Sequence, residues 1–203
     1  MIKAVVFDLG GVLFDIVMDR CVANFKALGW DDVDESLDPC HQRGVIKEME
    51  AGDISAEEFC DRVRQKCRPG TSSAAIRRSL ISILGDMHPD KVAFISELSA
   101  SHDLFILSNN NPIVMDYLEP LLASMGIPVG VTFKDAFYSY RMKMLKPDPA
   151  FFREAFSRTG HRPEEILFVD DSPANVEAAA QQGVRAVLYE QGTSLRSLVM
   201  ANL

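Results

Sequence analysis

The chain has 203 residues, 47% of them hydrophobic and 25% charged, with a formal net charge of −8 at pH 7. That size and apolar content allow a sizeable buried core, while the acidic balance argues against a nucleic-acid partner, which needs a basic face. No apolar run approaches a membrane span, the N-terminus lacks a signal-peptide plan, and the four cysteines (Cys21, Cys40, Cys60, Cys67) form no C-x-x-C pair, so a cytoplasmic protein with reduced thiols is expected.

The first predicted element is a strand, "KAVVF" at 3 to 7, that runs directly into Asp8, Leu9, Gly10 and Gly11. A carboxylate at the end of a buried strand is an expensive place for a charge, which makes Asp8 the first candidate for chemistry. Residues 16 to 85 then carry helical patterns with almost no strand signal: "DRCVANFKALGW", "HQRGVIKEMEAG", "SAEEFCDRVRQKC" and "SSAAIRRSLISILG". Ser55 followed by Glu58 predicts a capping box for the third of these, and Cys60 and Cys67, at helical spacing, read as core packing.

Further strands follow at 103 to 108 ("DLFILS"), 131 to 139 ("VTFKDAFYS"), 165 to 169 ("EILFV") and 185 to 190 ("RAVLYE"). Most show little polar alternation, as strands covered on both faces do. Between them, Asp148 with Pro149 and Gly160 bound one predicted helix, and Ser172 with Pro173 and Gly183 bound another. Strands alternating with helices predict an α/β fold built on a doubly wound parallel sheet. A right-handed crossover needs only about a dozen residues. The long helical stretch is therefore expected to be a separate cap (16 to 85) inserted in a core domain (1 to 15 and 86 to 203). It should sit over the carboxyl ends of the strands, where open parallel sheets place their ligands.

Those strand ends collect the polar residues: Asp8; Ser108, Asn109 and Asn110; Asp170 and Asp171; and Lys146, in "LKPDPAFF" before a helix. Each is weak alone, since "SN" serves turns and "DDS" serves helix caps. Together they suit Mg²⁺, which takes hard oxygens, and phosphate, which takes Ser, Lys and backbone N–H groups.

"VVFDLGGVLFD", "FILSNN", "KPDPAFF" and "ILFVDDSPANVEAA" resemble the ordered motifs of the haloacid dehalogenase (HAD) superfamily, and the helical stretch falls where members carry a C1-type cap. Bacterial glucose-1-phosphate-type sugar phosphatases are the nearer likeness, and the N-terminal phosphatase domain of soluble epoxide hydrolases a more distant one. The resemblance implies a Rossmannoid core and a Mg²⁺-dependent phosphomonoester hydrolase acting on a small phosphate ester through an aspartyl-phosphate. Asp8 would be the nucleophile and a metal ligand, with Asp171 and the Gly10 carbonyl as further ligands. Ser108, Asn109 and Lys146 would meet the phosphoryl group, while Asp170 and Asn175 would orient the lysine and the metal ligand. Many relatives carry a second aspartate where this chain has Gly10, and it supplies general acid catalysis worth about a hundred- to ten-thousand-fold. Asp15 and His41 are candidate substitutes. Without one, only easily departing leaving groups would react well. Two other functions fit less of the pattern: a phosphate-binding module that lost activity with its acid, and a metal-free hydrolytic dehalogenase. Specificity is expected from the cap, with Arg20, Lys26, Arg43, Lys47, Arg62 and Arg64 as its candidate anion contacts.

Overall fold

The structure is a computed structural model that describes residues 1–37 and 43–203. Its centre is a five-stranded parallel sheet of order β3-β2-β1-β4-β5, made of β1 (Ala4–Phe7), β2 (Asp103–Ser108), β3 (Phe133–Tyr138), β4 (Ile166–Asp170) and β5 (Arg185–Leu188). The alternation of side chains along each strand splits the apolar residues between the two faces. Ala4, Val6, Phe105, Leu107, Ile166 and Phe168 pack with Phe151, Phe152 and Phe156 on one side. Val5, Phe7, Leu104, Ile106, Leu167 and Val169 belong to the cluster on the other. Covered on both faces, β1 and β4 are buried throughout, whereas the edge strands β3 and β5 are partly exposed and shorter than their sequence patterns suggest.

In chain order the helices are α1 (Met18–Leu28), α2 (Gly44–Glu50), α3 (Ala56–Arg64), α4 (Ser73–Ile81), α5 (Pro89–Leu98), α6 (Pro112–Ser124), α7 (Ser139–Met142), α8 (Pro149–Arg158), α9 (Pro173–Ala180) and α10 (Leu195–Met200). Five of the starts, those of α3, α4, α6, α8 and α10, follow one device, an Asx or Ser side chain that takes an orphan N–H of the first turn. Asp148 accepts from Ala150 N at 2.8 Å, Asn111 from Val114 N at 3.0 Å, and Ser55 from Glu58 N at 3.1 Å. The expected capping box is only half made, because the Glu58 carboxylate turns to Arg62 at 2.7 Å instead. Ser172 also departs from expectation: its hydroxyl caps nothing, and its N–H is drawn to Asp170.

Helices α1 to α4 pack on one another between β1 and β2, and α4 also packs against α6 while α2 meets α7. The chain enters and leaves this helical layer side by side. Ile16 bridges Leu84 in antiparallel fashion, Val17 N bonds Ile83 O, and Gly85 N bonds Asp15 O. The layer's buried residues (Phe25, Trp30, Phe59, Ile76 and Leu80 among them) are continuous with the apolar cluster on one face of the sheet. Cys21 and Cys60 are buried in it and Cys67 is half-buried, as core packing predicts; Cys40 lies outside the described residues. No described helix is long and apolar enough to cross a membrane.

Candidate active site

Parallel strands β1, β2 and β4 end together, so Asp8, Ser108 and Asp170 arrive at one edge. Lys146, on the loop before α8, reaches into them from the side. Its side chain is 1% exposed and all three ammonium protons are spent. They go to Asp8 Oδ2 at 3.0 Å, Asp170 Oδ2 at 2.6 Å and Leu107 O at 3.1 Å. Asn109 holds the backbone of that lysine with both ends of its amide, accepting from Lys146 N at 2.8 Å and donating to Lys146 O at 2.9 Å. The Asn109 amide is thus committed to positioning Lys146, so a contact of Asn109 with phosphate would use its backbone N–H.

The neighbouring aspartates do different things. Asp170 is fully buried and both its oxygens are occupied, Oδ2 by Lys146 and Oδ1 by Ser172 N at 2.8 Å and Asn175 Nδ2 at 2.9 Å. Asp171 is half-buried and lines the cavity above the sheet with Asp8, Gly10, Ser108 and Lys146. The carboxylates of Asp8, Asp170 and Asp171 each offer an oxygen within 4.8 Å of the others. With only one ammonium among them, the cluster is net negative, and a hard dication fits that oxygen set.

Electrostatics follow the crowding. Burial pushes the Asp8 carboxyl up to about 7, against the pull of Lys146 and with a further push from Asp170. Burial alone would lower the Lys146 ammonium, but Asp170 and Asp8 outweigh it and keep it above its usual range. Burial and the charge of Asp170 raise Asp171 as well.

Sequence reasoning missed Gly11. Its φ is +77°, and a Cβ there would stand 1.9 Å from Asp171 Oδ2. The glycine lets the first loop bend under Asp171, so the second glycine after Asp8 makes room for the fourth motif. Gly10 is different: a Cβ would meet only the Ile16 side chain, at 3.1 Å.

The cavity, of about 710 Å³, is roofed by the helical layer: Ile46, Lys47, Glu50, Leu80, Ile83 and Leu84. Of the basic residues expected to reach a ligand, only Lys47 lines it. Arg20 bonds the Ser82 and Leu84 carbonyls, Lys26 pairs with Asp34, Arg62 with Glu48 and Glu58, and Arg64 with Asp61, while Arg43 is exposed. Asp15, proposed as a substitute acid, does not line the cavity; its side chain is 60% exposed beside Lys91 at 3.6 Å. His41 lies outside the described residues. The second residue missed is Glu50. Burial and the charge of Asp8 push its carboxyl up to about 8, with no cation or donor opposing them among the described residues.

A parallel Rossmannoid sheet whose strand ends gather Asp8, Ser108, Lys146 and an Asp pair beneath a helical roof defines a class of hydrolase. The chain belongs to the haloacid dehalogenase-like hydrolase family, which it matches over residues 2–183. It is 32% identical to D-ribitol-5-phosphate phosphatase of Bacteroides thetaiotaomicron, over 97% of this chain and 96% of that one. Among solved structures, a HAD family enzyme of the same organism, an aspartate-to-alanine variant in complex with magnesium and inorganic phosphate, superposes with a TM-score of 0.92 at 28% identity, covering 98% of this chain and 99% of that one. A predicted HAD-like hydrolase of Porphyromonas gingivalis superposes at 0.90 with 32% identity, covering 100% of this chain and 98% of that one.

Proposed function

We propose that the protein is a Mg²⁺-dependent phosphomonoester hydrolase that works through an aspartyl-phosphate on a small phosphorylated sugar or polyol. The observation that carries this reading is the single ammonium of Lys146 shared by Asp8 and Asp170, with Asp171 open to the same cavity. The similarity to a D-ribitol-5-phosphate phosphatase and to a structure holding magnesium and phosphate supports it.

Asp8, Asp171 and the carbonyl of Gly10 would hold the metal, because these face the cavity while Asp170 is already consumed by Lys146, Ser172 and Asn175. A bound dication would supply charge neutralisation to the phosphoryl oxygens and favour the ionised form of Asp8. Asp8, as carboxylate, attacks phosphorus in line with the ester oxygen, a recurring use of carboxylates as nucleophiles. Lys146 offsets the meeting of two anions, and Ser108 donates to a phosphoryl oxygen. Asn109, Asp170 and Asn175 keep the lysine in place. A metal-free dehalogenase gains nothing from Asp171 beside an anionic substrate, and a module that only binds phosphate has no use for a second carboxylate, Asp8, facing that anion.

The paired crossings at Asp15–Val17 and Ile83–Gly85 are the reading's hinge, dividing core (1–15, 86–203) from cap (16–85). The test is phosphate release from aryl and polyol phosphates with Mg²⁺ and with chelator. Asp8→Asn is expected to abolish turnover with the fold intact, and chelator to stop the native enzyme. Full activity in the variant overturns the nucleophile; full activity in chelator overturns the metal.

A further inference from the structure

Gly10 has no side chain to give a proton, and the acid the chemistry needs has to come from elsewhere. A polyol phosphate of the kind the Bacteroides relative is named for leaves as a primary alkoxide, which departs poorly without one. We propose that Glu50, carried by α2, protonates the departing alkoxide and then takes the proton of the hydrolytic water; this rests on the phosphatase reading above.

The geometry comes first. Glu50, at the end of α2 in the helical layer, lines the same cavity as Asp8 at the end of β1. It sits one helical turn after the buried Ile46 and next to the buried Met49, on the inward stripe of α2. Glu48, on the outer side of the same helix, is paired with Arg62 at 2.7 Å. Glu50 has no such partner among the described residues, and the one charge felt at its carboxyl is that of Asp8. Half-buried in the cavity wall, it loses enough water, with Asp8 near, to keep its proton on at neutral pH, as an acid requires. The other described acidic candidate, Asp15, faces solvent. Two residues beyond Glu50, Gly52 has φ +74° and lies so close to α7 that a Cβ would stand 2.3 Å from Tyr140 O. That contact seats the end of α2 on the core and fixes Glu50 over the site.

The step balances. As Asp8 bonds to phosphorus and the P–O bond to the alcohol breaks, the Glu50 carboxyl gives its proton to the leaving oxygen, releasing the free alcohol and leaving a carboxylate. That carboxylate removes a proton from the water that attacks phosphorus. The P–O bond to Asp8 breaks, and phosphate leaves with Glu50 protonated again.

The experiment is kcat/KM with Mg²⁺ across phosphate monoesters from nitrophenyl to polyol, for the native enzyme, Glu50→Gln, and Glu50→Gln with Gly10→Asp. The amide is nearly isosteric with the protonated carboxyl, so the fold should survive, checked by thermal melting. The native enzyme should show a shallow dependence on leaving-group acidity. Glu50→Gln should steepen it, losing least on nitrophenyl phosphate and about a hundred- to ten-thousand-fold on the polyol esters. Gly10→Asp should recover the poor leaving groups in that background, the new side chain displacing only Ile16. An equal loss across the series, or no loss, overturns Glu50 as the acid. Failure of the native enzyme to release phosphate from any ester overturns the phosphatase reading, and this inference with it.

Discussion

Gly11 is set by a collision rather than by a turn type: φ +77° disfavours an L residue, and Asp171 Oδ2 occupies the place a Cβ would take. Gly11→Ala should therefore raise the Mg²⁺ concentration needed for half-maximal activity and cut kcat/KM at least about a hundredfold, as displaced catalytic groups do. Gly10→Ala, which meets only the flexible end of Ile16, should cost far less; equal losses in the two variants would show that Asp171 is not held by this contact. Glu50 makes a separate prediction on stability. Its folded carboxyl, at about 8, lies above the ordinary value of 4.5, so folding favours the protonated form. The stabilisation is complete below about pH 4.5 and lost as pH rises through about 8. In chelator, the Tm of the native protein should accordingly fall relative to Glu50→Gln across that window. A difference that does not change with pH would place the carboxyl in solvent.

At the scale of elements, what the sequence exposes is what its local chemistry dictates. Asp148 before Pro149 caps α8 because the side chain and the proline act within one turn, and the apolar runs of β1, β2 and β4 mark strands covered on both sides. Asn111 before Pro112 is the same cap, at the start of α6, within the "SNNNP" run that also supplies site residues. Long-range pairing is less visible. Nothing in "KPDPAFF" announces that Asn109 clamps the lysine backbone, and "VIKEMEAG" shows only that Glu50 shares a stripe with Ile46 and Met49, the one signal that sets it apart from Glu48. The same is true of Gly52, whose need for glycine comes from Tyr140, far along the chain. Gly52→Ala should push the end of α2 off α7. Its kcat/KM should fall most for polyol phosphates, in the pattern of Glu50→Gln, with KM rising as the roof loosens. If Gly52→Ala behaves as the native enzyme on every ester, that contact does not position the roof.

The whole molecule shows how far the helical layer can act alone. Its pattern reads as a separate cap, and the paired crossings at its base are a hinge in form. Yet its buried residues run without a break into the sheet's own apolar cluster, and α4 rests on α6. Closure would then be a small pivot over a shared interior, and melting the layer would expose one face of the core to water. The chain carries its own reporter: the single tryptophan, Trp30, is fully buried in this layer, edge-on to Phe25 at 5.2 Å. Tryptophan fluorescence follows the layer, and far-ultraviolet circular dichroism follows the sheet and all the helices together. If the interior is shared, heat and urea should give coincident transitions by both probes, the mark of two-state unfolding. Mg²⁺ with phosphate, bound at the strand ends, should shift both midpoints upward by the same amount, since a ligand of the native state stabilises whatever unfolds with its site. A tryptophan transition that precedes the dichroism, and stays put when Mg²⁺ and phosphate raise the other, would mean that the layer melts independently and that the continuity of apolar contacts does not couple it to the core.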